Sequence, residues 1–247
     1  MSAGSTVFVA GAAGAVGRRL CPLLLEDGWR VVGTTRDAAK AEWLRSTGVE
    51  AAVVDVFDAE ALCKAVAQSG ARIVVHQLTD LPQVRDPAHL TAALERNARL
   101  RELGTQNLVA AALAAGATRF VAQSIAFAYA PGPQPYAEDA PLNVAAADPA
   151  AARSARGVAS LERQVLGASF EGIVLRYGRL YGPGTWFDSP PAGAPLHVDA
   201  AAHAARLALR GGEPGIYNIA QSDGSVTSEK AQRILGWSSE FRLKGSL

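Results

Sequence analysis

The stretch that most constrains the fold is Gly11-Ala-Ala-Gly14-Ala-Val-Gly17, a run of glycines set between a short apolar segment and a helical one. Thr6-Val-Phe-Val-Ala10 is β-branched and apolar on both faces, the pattern of a buried parallel strand. Beyond the glycines, Val16, Leu20, Leu23 and Leu24 recur at helical spacing through Glu26. A strand that passes through glycines into a helix is the context a dinucleotide fingerprint requires. Gly11 permits the tight turn, Gly14 lets backbone approach a pyrophosphate, and Gly17 lets helix and strand pack closely. The helix N-terminus then presents free N–H groups and a partial positive charge to phosphates. The competing reading is a glycine-rich turn with no ligand.

A second strand, Arg30-Val-Val-Gly-Thr-Thr35, ends at Arg36. An acidic side chain about 20 residues past the glycines would grip the ribose 2′-hydroxyl of NAD. Thr34, Thr35 and Arg36 offer none, and Asp37 starts the next helix as a cap. An arginine suits the 2′-phosphate of NADP instead, so NADP is the expected cofactor and NAD the alternative. A solvated surface arginine is the bland reading of the same residue.

A chain of 247 residues fits one α/β domain with a modest appended lobe. Hydrophobic residues at 49% argue against disorder, and a net charge of +1 without a basic block argues against a nucleic-acid partner. The start, Met1-Ser-Ala-Gly-Ser-Thr6, has no leader pattern and no apolar stretch reaches spanning length, so no membrane partner and a cytoplasmic location are expected. Cys21 and Cys63 lie in helical patterns and read as small hydrophobes, and no metal site is expected.

Further along, strands and helices alternate. A helix over 37–46 leads to strand 51–54 and Asp55; Asp58 caps a helix over 59–68; strand 72–76 runs into Gln77, Leu78, Thr79 and Asp80 and a loop holding Pro82 and Pro87. A long helix over 89–115 precedes strand 119–123, which delivers Ser124 at its C-terminal end. The alternation implies right-handed crossovers and a doubly wound parallel sheet. The Pro- and Ala-rich segments 130–135 and 145–152 read as loop. A helix over 155–166, strands 173–177, 195–198 and 215–219, a helix capped by Asp199 and a last helix from Thr227 complete the pattern. Trp186 and Phe187 in the turn-rich stretch after Tyr181 suit an apolar lid over a cleft.

With these pieces in line, the chain resembles the extended short-chain dehydrogenases/reductases, specifically the NAD-dependent epimerase/dehydratase group. The resemblance rests on the glycine fingerprint, Asp55, Gly104-Thr-Gln-Asn-Leu108, Arg119-Phe-Val-Ala-Gln-Ser124, Leu175-Arg-Tyr-Gly-Arg-Leu-Tyr-Gly-Pro-Gly184, His197-Val-Asp199 and Tyr217-Asn-Ile219. It implies a Rossmann-type α/β fold: a cofactor domain over 1–177 with 198–220 contributing, and a small C-terminal substrate lobe over 178–197 and 221–247. Together with the glycine loop and Arg36 read above, the expected cofactor residues are Gly11, Ala13, Gly14, Ala15, Val16, Gly17, Arg36, Asp55, Val56, Gln77, Leu78 and Thr79. Tyr181, Trp186 and His197 would meet a small-molecule substrate. A homodimer packed through the helices around 89–115 and 155–166 is also implied.

The departures bear on chemistry. Hydride transfer in this family relies on a Tyr-x-x-x-Lys pair whose ammonium lowers the phenol's pKa. Counting back from the matching Glu162 puts Ser154 at the Tyr position and Val158 at the Lys position, and the family's helix Asn falls on Arg101. Ser124 is the member of the usual tetrad that remains. Three readings follow: an oxidoreductase or epimerase/dehydratase with Tyr129 as a relocated acid/base, an inactive NADP-binding sensor, or a non-redox lyase on the same frame.

Overall fold

Apolar residues on both faces of β1 (Thr6–Ala10) set it in the middle of a parallel sheet. Val7 and Val9 point into one core with Leu20 and Leu24 of α1 (Ala15–Glu26). Phe8 and Ala10 point into a second core on the opposite face. The structure is a computed structural model that describes residues 5–82 and 87–243. The start 1–4, the loop 83–86, the end of the lobe over 244–247, and the side chains of Pro87, His89 and Leu90 lie outside the described residues.

After β1 and α1 come β2 (Arg30–Thr35), α2 (Ala38–Ser46), β3 (Glu50–Val53), α3 (Ala59–Ser69) and β4 (Ile73–His76). Next are α4 (Pro87–Arg99), a π-helical turn (Leu100–Gly104), α5 (Thr105–Ala114), β5 (Arg119–Ile125), α6 (Pro149–Leu166) and β6 (Glu171–Tyr177). The remainder is β7 (Arg179–Tyr181), β8 (Pro195–His197), α7 (Val198–Arg210), β9 (Gly215–Ile219) and α8 (Glu229–Leu235). The described residues build a seven-stranded sheet in the order β3-β2-β1-β4-β5-β6-β9, with every pair parallel. Strand order reverses between β1 and β4, which opens a crevice at the C-terminal strand ends where α/β proteins hold ligands. β7 and β8 pair apart from this sheet.

Three local departures from the sequence pattern follow from caps and helix geometry. The helix expected over 155–166 starts at Pro149, because Asp148 accepts from the Ala151 N–H and proline suits the first helical turn. The expected long helix begins at Pro87 and is interrupted by the π-helical turn Leu100–Gly104. The cap of α7 is His197, whose Nδ1 accepts from the Asp199 N–H, and Asp199 lies buried within the first turn.

Candidate active site

A single continuous cleft of about 1260 Å³ runs from the glycine loop along the C-terminal strand ends to the loop carrying Trp186 and Phe187. Gly11 closes the turn after β1 with φ +90°, and a Cβ there would lie 2.6 Å from the Gln77 carbonyl. Gly17 lets α1 meet the turn: its Cβ would stand 2.3 Å from the Gly11 carbonyl. Gly14 caps α1 in extended conformation and lines the cleft, with Ala13, Ala15 and Val16 beside it. The first turn of α1 therefore offers unpaired backbone N–H groups to the cleft, as a pyrophosphate needs. The opposite wall brings Asp55, Val56, Gln77, Leu78 and Thr79 to the same cleft, and the buried Gln77 Oε1 has no hydrogen-bond partner. These residues fit a dinucleotide.

At the adenosine end, Arg36 is 57% exposed, 3.9 Å from Asp55 and 3.5 Å from Asp80. Lys40 and Arg18 line the same end, and Arg18 stacks over the Trp43 ring at 4.2 Å while donating to the Ala13 carbonyl. Neither was legible as a cofactor contact, because each lies on a helix whose rotation only packing decides. Asp55 has its own local task, accepting from the Phe57 N–H, and the Asn107 amide donates to the Val56 carbonyl to hold that loop.

Of the two residues expected to catalyse, Tyr129 lines this cleft and Ser124 is not among the described lining residues. Ser124 continues the row of Phe120 and Ala122 on the face of β5 covered by α6, while its neighbours Gln123 and Ile125 line the cleft. In register it pairs with Arg176 of β6, which pairs in turn with Asn218 of β9, so all three share one face. Ser124 donates to Glu162 Oε1 at 2.8 Å, and Glu162 takes two further bonds from Arg176 at 2.8 and 2.7 Å. Arg176 also donates to the Tyr129 hydroxyl at 2.9 Å, and that hydroxyl donates to Asn218 Oδ1 at 2.5 Å. The Tyr129 ring reaches the cleft wall, but its oxygen is held inside this cluster. Burial pushes the phenol's pKa up, against the downward effect of Arg176, which is the wrong direction for an acid near neutrality. Strand alternation thus turns Ser124 away from the cleft, and the enclosed Tyr129 hydroxyl does not favour the acid/base role expected of it.

The substrate-side expectations divide. Trp186 lines the cleft, and its indole N–H donates to the Pro82 carbonyl at 2.7 Å, tying the lid to the loop after β4. Tyr181 and His197 are not among the described lining residues. They pack edge to face at 5.1 Å behind the lid, where a Cβ on Gly182 would lie 2.7 Å from His197 Nε2. That correction has a simple cause, since β7 and β8 turn these side chains toward α7 and each other. Burial, and then Arg242, lowers the His197 pKa.

The far end of the cleft holds Asn97, Arg101 and Ser154, with Phe127 and Phe187 adding apolar wall. Arg101 Nη1 donates to Ser154 Oγ at 3.1 Å. Val158, one turn further along α6, is fully buried among Ile125, Ala128 and Ala155. Beneath them, burial and the charge of Arg101 push the His76 imidazole down to about 4, and its Nε2 meets the Thr105 hydroxyl at 3.0 Å. Among the described residues no cluster of His, Cys, Asp and Glu could hold a metal ion.

Comparison with known proteins agrees with this fold. A model of the NAD dependent epimerase/dehydratase family matches residues 7–195. A Streptomyces sp protein described as a 3-diazoavenalumate denitrifying reductase is 44% identical over 221 residues, which span 89% of this chain and 69% of that one. Among solved structures, UDP-glucose 4-epimerase of Thermotoga maritima with UDP-glucose superposes with a TM-score of 0.75 at 18% identity, covering 98% of this chain and 96% of the other. The Thermus thermophilus UDP-glucose 4-epimerase complex with NAD gives a TM-score of 0.70 at 23% identity, covering 94% and 84%. The chain belongs to the NAD-dependent epimerase/dehydratase family.

Proposed function

We propose that the protein is a nicotinamide-dependent reductase of a small diazo compound, using NADP in preference to NAD. The observation that carries this reading is that the Tyr129 phenol is locked in a buried cluster, while Ser154 and the buried Val158 occupy the positions where the family's acid/base pair is counted. Expulsion of dinitrogen from an aryl diazonium group needs no proton from the protein. The carbon–nitrogen electron pair leaves on nitrogen, and a hydride supplies the pair for the new carbon–hydrogen bond. The diazo substrate in the name of the 44% identical reductase supports the same class.

A reduced nicotinamide bound in the cleft supplies that hydride. The glycine loop and the start of α1 bind the pyrophosphate, and Trp186 and Phe187 exclude water from the far end. Arg36, Lys40 and Arg18 supply donors for a 2′-phosphate at the adenosine end, beside the carboxylates of Asp37, Asp55 and Asp80. Assembly as a homodimer through the helices around 89–115 and 155–166 and a cytoplasmic location belong to the same proposal. Light scattering of the purified protein tests the first. Among the described residues no helix is long and apolar enough to cross a membrane.

The test begins with thermal shift against NADPH, NADP⁺, NADH and NAD⁺. A ligand at about 100 times Kd stabilises by about 2.7 kcal/mol, or roughly 5–11 °C for a chain of this size. The NADP pair is expected to give the larger shift. Deuteride-labelled NADPH with an aryl diazonium salt is then expected to yield dinitrogen and an arene deuterated at the vacated carbon. Cofactor binding without turnover of any diazo probe would overturn the diazo reading and leave a nucleotide sensor.

A further inference from the structure

Arg101 is 9% exposed, lines the cleft, and makes its one hydrogen bond among the described residues to Ser154. No carboxylate of the described residues bonds it. The nearest influence is Glu162, whose two oxygens are already taken by Arg176 and Ser124. Two buried guanidinium groups therefore share one carboxylate, and the surplus positive charge faces the cleft. Burial draws the Arg101 pKa down to about 10 against the pull of Glu162, so the group stays charged at neutral pH. Neighbouring His76 is neutral there and adds nothing to offset. A desolvated cation without a counter-charge is costly unless an anion completes it. The π-helical turn Leu100–Gly104 that carries Arg101 is the kind of irregularity that concentrates at functional sites.

We propose that Arg101, positioned by Ser154, binds a substrate oxyanion conjugated to the carbon that receives hydride, which narrows the substrate class to hydroxyaryl diazo compounds bound as their neutral diazo-oxides. The narrowing rests on the diazo reductase reading above. A simple aryl diazonium cation is repelled by a buried guanidinium, whereas an ortho- or para-oxide cancels its charge. The step balances without a proton: the hydride pair forms the carbon–hydrogen bond, the carbon–nitrogen pair leaves on dinitrogen, and the organic product is a phenolate. The substrate passes from net neutral to net negative while the reduced nicotinamide becomes its oxidised cation. Attraction to Arg101 thus grows as hydride moves, which is the condition for accelerating the step.

The test that stands apart from turnover uses 4-nitrophenol, whose phenolate is yellow, titrated into protein saturated with oxidised cofactor about one pH unit below the phenol's free pKa. The wild-type complex is expected to bind it as the phenolate. Arg101→Met is expected to bind it as the colourless phenol and at least 10-fold more weakly, and Arg101→Lys to restore part of the colour. Equal binding of the phenolate by wild type and Arg101→Met, or no binding by wild type, would overturn the inference whatever the diazo assays show. In turnover, 4-hydroxybenzenediazonium should be reduced about 100-fold faster than benzenediazonium by wild type, with the ratio falling toward one in Arg101→Met. Failure of both diazonium salts alongside a normal nitrophenolate signal would overturn the diazo reading and retain the oxyanion site.

Discussion

Two buried arginines stand near Glu162, and they have opposite surroundings. Arg176 is 3% exposed and spends its donors on both Glu162 oxygens, the Tyr129 hydroxyl and the Glu138 carbonyl. Burial lowers its pKa, but the Glu162 hydrogen bonds and charge more than reverse that, so its net shift is upward. Arg101 has a serine hydroxyl and the cleft. The first arginine is completed by the fold and the second by what the fold receives. A charge of the first kind holds strands β5, β6 and β9 to α6 and stabilises the folded chain. A charge of the second kind costs stability and is poised for binding. The difference separates residues that share a polar, buried description in any list of candidates.

Removing the Glu162 carboxylate should separate the two arginines most clearly. Glu162→Gln should destabilise by about 3–5 kcal/mol, lowering Tm by about 10 °C, because it strands Arg176. Arg101→Met should stay within about 1 kcal/mol of wild type in urea unfolding. Comparable losses in both would mean that Arg101 is structural too.

His76 sharpens the contrast between the two arginines. Its folded pKa of about 4 lies below the ordinary 6.5, so the unfolded chain takes the proton first as pH falls. Its contribution is fully present above pH 6.5 and is lost between there and about 4, up to about 3 kcal/mol. Because Arg101 is part of the cause, Arg101→Met should make the acid limb shallower than in wild type, read from urea midpoints across that range. An identical limb would place Arg101 too far away to act on the ring.

The cation at the other end of the cleft is exposed, and its effect should be smaller. Arg36→Ala is expected to cut the preference for NADP over NAD by about tenfold, measured by calorimetry with both cofactors. An unchanged ratio would hand the 2′-phosphate to Lys40 and Arg18. The smallest expected effect is Tyr129→Phe, which should cost about 1–2 kcal/mol and leave turnover intact, since its hydroxyl serves the buried cluster. A lost rate at unchanged cofactor affinity would return Tyr129 to the catalytic machinery.

The order of elements, the parallel sheet and the glycine turn were legible because they depend on local pattern: apolar strands, helical spacing and residues that suit a tight turn. Ser124 was readable as a strand-end residue, yet which way it faces follows from a one-residue alternation that begins at Phe120. The same alternation, applied along β5, would have singled out Gln123 and Ile125 for the cleft. The start of α6 was also within reach, since Asp148 and Pro149 are a cap and a first-turn proline that the alanine-rich composition concealed. Tyr181 and His197 read as site residues because they border the lid in sequence, but packing turned them to its far side.

Local pattern was enough for the fold class and for the glycine turn that opens onto the cleft, because turn geometry and hydrophobic period act over a few neighbouring residues. Which buried polar groups are spent and which remain available follows from packing between distant elements. Arg101, Ser154, Glu162 and Arg176 come from a helix turn, a helix and a strand far apart in the chain. Whether a charge is compensated depends on the distances among all of them at once. No local pattern encodes that sum.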